Sequence, residues 1–229
     1  FNWKKIIMWL WTGWGVWLER LNLAIIVPAY NEEKTISRVV EKLIPYGRPI
    51  VVDDGSSDST SIRASKAGAL VITHSKNLGY DEALNTGFKE AFLMNHSVAL
   101  TFDADGQHDE SLIPKFLQKL NNGDDVVVGI RNKKQRFAEY IFGWYTNLRF
   151  NIKDPLCGMK AYKKNIYELL GHFDSYGSTG TELMLFAAKN RFSIGEVDIN
   201  IGEREDEPRF GTNFTGDYKI MRAMLLSLW

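Results

Sequence analysis

Val98-Ala99-Leu100-Thr101-Phe102-Asp103-Ala104-Asp105-Gly106-Gln107-His108 joins an apolar run to a cluster of side-chain oxygens. The run Val98-Ala99-Leu100 reads as a buried strand that ends where the carboxylates begin. Asp103 and Asp105 are two residues apart, so at a strand end both can turn toward one ion or one diphosphate. Gln107 continues the same alternation. Oxygen ligands of this kind suit Mg2+ or Mn2+, which bind through one or two carboxylates, substrate phosphates and retained waters. Taken alone, the same letters also describe an acidic, Gly-containing surface turn, and the surrounding chain decides between the two readings.

Working outward, further apolar runs precede and follow. Leu23-Ala24-Ile25-Ile26-Val27-Pro28, Ile50-Val51-Val52, Leu70-Val71-Ile72 and Val126-Val127-Val128 are short, continuous and rich in β-branched residues, as buried parallel strands are. Between them lie helical patterns. Residues 33–44 put Ile36, Val39, Val40 and Leu43 on one face, with Asn31 placed to cap them. Asp53-Asp54-Gly55-Ser56-Ser57-Asp58 is a tight turn feeding a second helix, with Asp58 or Ser57 as its N-cap. Residues 80–94 and 112–120 read as two more. Alternating strand and helix predict one parallel α/β sheet with right-handed crossovers. Ligands of such sheets bind outside the carboxyl ends of the strands. That edge would hold Tyr30-Asn31-Glu32, Asp53-Asp54 and Asp103-Ala104-Asp105. No G-x-G-x-x-G follows the first strand and no P-loop is present, which disfavours the usual dinucleotide fold.

After Arg131 the pattern changes. The aromatic-rich residues 137–150 read as a helix, residues 154–160 as a loop-to-strand element, 163–170 and 181–189 as helices, and 194–201 as a strand. A charged loop covers 202–212, and residues 218–229 form an amphipathic or fully apolar helix. Five of the seven tryptophans fall in the first 17 residues, flanked by Lys4, Lys5 and Arg20. The apolar core of that segment, residues 6–18, would span only about 20 Å as a helix, short of a bilayer. It reads as a membrane-interfacial segment, as a segment packed on the domain or a second subunit, or as part of a longer span. Phe1 in place of Met leaves room for residues before it. The expected organisation is 1–22 as the Trp-rich segment, 23–212 as one α/β domain and 213–229 as a terminal helix.

Bulk properties narrow the class. The chain has 229 residues, 45% hydrophobic and 24% charged, with formal net charge zero. That is enough for one good core, and it gives no broad electrostatic case for nucleic acid. Local charge is uneven: Arg131, Lys133, Lys134 and Arg136 form a basic cluster. Cys157 is the only cysteine, so no intrachain disulfide can form, and a reducing compartment is favoured.

Seven pieces in order then resemble the family 2 glycosyltransferases of GT-A fold, with the closest likeness to the dolichol- and polyprenyl-phosphate sugar synthases. They are VPAYNE (27–32), VVDDGSSD (51–58), the set Asn77, Gly79, Ala83, Asn85 and Gly87, DADGQHD (103–109), Gly129-Ile130-Arg131, DPLCGMKAY (154–162) and Pro208-Arg209-Phe210-Gly211. The resemblance implies a mostly parallel GT-A sheet flanked by helices, a nucleotide diphosphate-sugar donor, a polyprenyl phosphate acceptor at a membrane surface, and Mg2+ or Mn2+. It implies that Pro28, Tyr30, Glu32, Val52, Asp53 and Asp54 line the nucleotide pocket, Tyr30 by stacking. Asp103, Ala104 and Asp105 would face the sugar-diphosphate, with Asp105 and Gln107 as metal ligands. Arg131 and Arg209 would meet phosphates. Asp154, with Glu182, would be the base if the acceptor were a sugar hydroxyl. A lipid phosphate is already largely ionised near neutral pH and needs none. His108 reads either as a further ligand or, more simply, as an exposed loop residue; His74, His96 and His172 fall at element ends without a pattern. Gly211 is followed by Thr212-Asn213-Phe214, where family members often carry Ser-Lys. The expected setting is the cytoplasmic face of a membrane, with room for a homo-oligomer. Hydroxyl transfer to a growing glycan and a catalytically silent nucleotide-sugar-binding or scaffold module are the alternatives.

Overall fold

A computed structural model describes residues 21–134, 136–200 and 213–227. The Trp-rich start, Arg209 and the charged loop around it lie outside the described residues. Strands β1 (Leu23–Ala29), β2 (Arg48–Asp53), β3 (Leu70–Thr73), β4 (Val98–Thr101), β5 (Val126–Arg131), β6 (Lys160–Lys163) and β7 (Ile194–Ile199) form one sheet in the order β3-β2-β1-β4-β6-β5-β7. Six strands run the same way. Only β6 runs against its neighbours, pairing antiparallel with both β4 and β5. The expected α/β architecture is therefore present, with one reversed strand set inside it.

Helices α1 (Ile36–Leu43), α2 (Thr60–Lys66), α3 (Tyr80–Leu93), α4 (Ile113–Asn121), α5 (Phe137–Phe150), α6 (Lys164–Leu170), α7 (Glu182–Lys189) and α8 (Asn213–Leu226) flank the sheet. Alternating residues of each central strand feed two cores, because successive side chains point to opposite faces. Leu23, Ile25 and Val27 of β1 pack with Ile36, Val40 and Leu43 of α1. Ala24 and Ile26 pack on the other side with Leu84 and Phe88 of α3. Phe88 is wholly buried at the centre of an aromatic cluster, its ring centroid 4.5 Å from Phe173 and 5.6 Å from Tyr162. Gly87 lets α3 approach the sheet: a Cβ there would overlap Ile26 Cγ2.

Two expected caps are corrected. Asn31 does not cap α1, whose N-cap is Thr35. Asn31 instead has φ 54°, a left-handed turn that Asn tolerates. There its Oδ1 accepts from Ser57 N at 2.9 Å and its own N donates to Ser56 Oγ at 2.8 Å, tying the loop after β1 to the loop after β2. The second helix starts after Ser59 rather than Asp58 or Ser57, while Asp58 Oδ1 accepts from Thr60 N at 2.9 Å.

Candidate functional site

The loops after β1, β2, β4 and β5 leave the sheet on its carboxyl edge and border a cleft of about 510 Å3, joined by residues of α3, α5 and α8. Pro28, Tyr30, Glu32, Asp54, Asp103, Ala104, Asp105, Gln107 and Arg131 all line it. Val52, Asp53 and Asp154 do not: each is buried behind the wall. Asp53 Oδ1 accepts from Ser56 N at 3.0 Å, which closes the turn after β2.

The acidic end of β4 is shaped by its neighbours. Gly106 at φ 77° turns the chain sharply, and Gln107 N donates to Asp105 Oδ1 at 3.0 Å. Asp103 accepts from His108 Nε2 at 2.9 Å and from Tyr80 Oη at 3.4 Å. His108 is buried against Phe102, so the exposed-loop reading is corrected. The carboxylate can only accept, so Nε2 carries a proton. Burial opposes a charge on His108, but the Asp103 hydrogen bond and the Asp103 and Asp105 carboxylates outweigh it and hold the ring above the ordinary histidine value. Gly158 makes room for Asp103: a Cβ there would overlap Asp103 Oδ2.

Asp105, Gln107 and Asp103 offer oxygen donors only, the set a hard divalent cation takes. Among the described residues no cluster of three or more His, Cys, Asp or Glu side chains could enclose an ion. A cation held by Asp103, Asp105 and Gln107 would need substrate phosphates or water to complete its shell.

Asp54 is held from three sides. Its Oδ1 accepts from His74 Nδ1 at 2.7 Å and Leu78 N at 2.8 Å, and its Oδ2 from Gly79 N at 2.7 Å. His74 Nε2 lies 3.0 Å from Thr86 Oγ1. Sequence reasoning gave His74 no role, yet it anchors Asp54 to α3; its place directly after β3 was the only available signal. Asn85 fastens the opposite wall, its Nδ2 donating to Asp174 O at 2.7 Å and its Oδ1 accepting from Phe173 N at 2.9 Å. Glu32 accepts from Thr35 Oγ1 at 3.1 Å while its N donates to Thr60 Oγ1 at 2.8 Å.

Arg131 reaches the cleft from the end of β5 inside a carboxylate clamp. Its Nε and Nη2 donate to Asp154 at 2.7 and 2.8 Å, its backbone N donates to Asp154 Oδ2 at 3.1 Å, and Nη2 lies 2.9 Å from Glu139. Burial opposes the charge on both partners. The mutual contact wins, lowering Asp154 below the usual carboxylate value and holding Arg131 more firmly protonated. Asp154 thus stands behind Arg131 and orients it. Glu182 is also off the cleft wall, accepting from Ser175 N and Oγ and from His172.

Lys160 was not among the expected site residues. It is buried at the start of β6 and lines the cleft, donating through Nζ to Gly180 O at 2.7 Å. Burial lowers it to about 8. The D-x-x-x-G-x-K spacing from Asp154 contained it, but only the antiparallel pairing of β6 sets it opposite Thr101 at the end of β4.

A mostly parallel sheet whose carboxyl edge gathers a D-x-D pair, an aromatic residue and several cations into one cleft is the layout of a nucleotide-sugar transferase of GT-A fold. The family model for glycosyl transferase family 2 matches residues 24–173, and the chain belongs to that family. It is 31% identical over 242 residues to UDP-N-acetylglucosamine--dolichyl-phosphate N-acetylglucosaminyltransferase of Methanococcus voltae, covering 88% of this chain and 94% of the relative. It is 31% identical over 225 residues to dolichyl-phosphate hexose transferase of Haloferax volcanii, covering 89% and 92%. Among solved structures, glucosyl-3-phosphoglycerate synthase from Mycobacterium tuberculosis in complex with Mn2+, uridine diphosphate and phosphoglyceric acid superposes with a TM-score of 0.75. That match is 21% identical in sequence and covers 90% of this chain and 78% of the other, which speaks to the fold.

Proposed function

We propose that the protein transfers a sugar, with inversion, from a nucleotide diphosphate-sugar to a polyprenyl phosphate at a membrane surface. One observation carries the reading: Asp103, Asp105 and Gln107 share a single cleft with Arg131, Arg136, Lys160 and Lys219. Such a site has oxygen ligands for a cation beside a donor diphosphate and positive groups for a second phosphate. The activities for which the dolichyl-phosphate relatives are named agree with it.

In this reading Tyr30, exposed at the cleft rim, stacks on the base, and Glu32 meets the ribose or base. Asp54, already bound by three donors, shapes the nucleotide pocket with Gly79. Asp105 and Gln107 would hold Mg2+ or Mn2+, which supplies Lewis-acid stabilisation of the departing diphosphate. Arg131, oriented by Asp154 and Glu139, presents its guanidinium to phosphate. Lys160, lowered by burial, keeps its Nζ at the cleft wall beside Gly180. The acceptor phosphate attacks the anomeric carbon as an anion and needs no base. Asp154 and Glu182, the two carboxylates a hydroxyl acceptor would have called on, are both off the cleft wall, which favours the phosphate acceptor.

The test is release of nucleoside diphosphate from a panel of nucleotide-sugars with Mn2+ or Mg2+, with and without polyprenyl phosphate in detergent. Turnover that requires the lipid phosphate and is lost in Asp105→Ala supports the reading. Turnover that demands a glycan hydroxyl instead, or binding of nucleotide-sugar without turnover under any condition, overturns it.

A further inference from the structure

Helix α5 buries one side and leaves the other bare. Ala138, Phe142 and Thr146 point into the core. Phe137, Tyr140, Trp144 and Leu148 remain 74%, 53%, 68% and 74% exposed. At 3.6 residues per turn these four fall within an arc of about 80° and run about 16 Å along the helix. A contiguous aromatic stripe of this kind is not the scattered exposure ordinary for a soluble surface. Beside it, α8 packs on α5 and exposes Tyr218 and Leu225 on its own outer face. Gly216 permits the contact: a Cβ there would overlap the Arg136 guanidinium.

The surroundings indicate what covers the stripe. Its rim is cationic: Lys133 and Arg149 are exposed, and Lys134 Nζ stands 5.6 Å from the Tyr140 ring centroid. At its amino end Arg136 and Glu139 line the reaction cleft, and Lys219 and Ile220 of α8 do so as well. Glu139, the one acid in this part of α5, is buried against Arg131. Trp and Tyr beside Lys and Arg is the composition of the membrane–water interface. A second copy is the poorer occupant. A two-fold contact would set this basic rim against itself, since such interfaces place the same patch on both sides.

We propose that the α5 stripe, extended by the outer face of α8, lies on an anionic phospholipid surface and sets the cleft mouth at the headgroup level. The proposal deepens the lipid-phosphate reading and rests on it for its purpose. A phosphate carried in the bilayer would then enter the cleft past Arg136 and Lys219 without leaving the interface.

The test is cosedimentation of the full chain with vesicles of phosphatidylcholine alone or mixed with phosphatidylglycerol. The wild type is expected to prefer the anionic vesicles, and Phe137→Ser/Trp144→Ser to lower that partitioning roughly tenfold or more. Leu93→Ser, an apolar loss at an exposed position of α3, is expected to leave it unchanged. Whatever the N-terminal segment contributes is common to all these proteins, so their difference isolates α5. Unfolding midpoints verify that each is folded; should the double variant fail, Trp144→Ser alone is expected to lose roughly threefold. Equal partitioning of wild type and variant overturns the proposal. So does a wild type without preference for anionic vesicles, or a wild-type dimer in solution that the double variant dissolves. Nucleoside diphosphate release with acceptor in detergent is expected unchanged in the double variant. A wild type that docks on vesicles but shows no lipid-dependent turnover would remove the transfer reading and leave the docking face standing.

Discussion

Replacing Asp154 by Asn tests the division of labour around Arg131. The carboxylate is buried and takes three bonds from one residue: Nε at 2.7 Å, Nη2 at 2.8 Å and the backbone N at 3.1 Å. Asn keeps the shape and one acceptor oxygen, but it presents an NH2 to donors on the other side and leaves Glu139 as the remaining carboxylate at the guanidinium. Breaking one partner of a buried ion pair costs about 3–5 kcal/mol, and the isosteric change should fall at the lower end, about 3 kcal/mol. The urea midpoint would move by about 1–2 M at the usual denaturant dependence. The pH profile supplies the sign. Asp154 is lowered in the folded state, so its contribution is complete above the unfolded carboxylate value of about 4 and is lost as pH falls through the folded value. Asp154→Asn should therefore lose stability near neutrality and flatten the acid limb of the wild-type curve. Turnover should fall with loss of Arg131 positioning, and small carboxylates such as formate should not restore the activity of Asp154→Ala. An unchanged unfolding midpoint with a turnover loss beyond about 1,000-fold, or rescue by formate, would refute the clamp and make Asp154 a base.

Gly158→Ala forces a methyl group onto Asp103 Oδ2; turnover is expected to drop roughly 100-fold with a donor KM changed less, measured by steady-state kinetics. Asp81, pushed up to about 6 by burial and by Asp174, has one buried oxygen without a partner. Its folded value lies above the unfolded one, so stability should fall as pH rises from about 4 to 6, and Asp81→Asn should flatten that slope and gain on the order of 2 kcal/mol at pH 7 in urea titrations. Phe88→Ala empties the centre of the aromatic cluster and should cost about 3–5 kcal/mol by thermal or urea unfolding.

What could be read from the letters was what local periodicity encodes. The continuous apolar runs became β1, β2 and β4, wholly or nearly wholly buried. The aromatic segment 137–150 became α5 with the same bounds. Nine of the residues named for the donor and metal line the cleft, because a parallel sheet delivers its loops to one edge whatever their spacing. Long-range pairing was harder to read. Nothing local distinguishes an antiparallel β6 from a parallel one, and its register, Leu100 against Ala161, is set by partners some sixty residues away. Arg131 and Asp154 are 23 residues apart, and His74 and Asp54 are 20 apart. Each side chain looks like a turn or loop residue until the partner is in place. Periodicity did show α5 as a helix, but the exposed side of that helix follows from which neighbours pack on it.

The reversed strand also sets an order of events during synthesis. β5 pairs only with β6 and β7, both made later, while β4 has its second edge open until β6 arrives. At the usual 5–20 residues per second the interval between completing Arg131 and completing Lys163 is roughly 2–6 s. For that time the nascent chain carries an unpaired β4 edge and an apolar Val126-Val127-Val128 segment whose partner strands are not yet made. Such edges template aggregation. A chain released before Lys160 would keep both of them for good, so the eight residues DPLCGMKA ahead of Tyr162 decide whether the first two-thirds of the protein is a finished sheet or a substrate for chaperones.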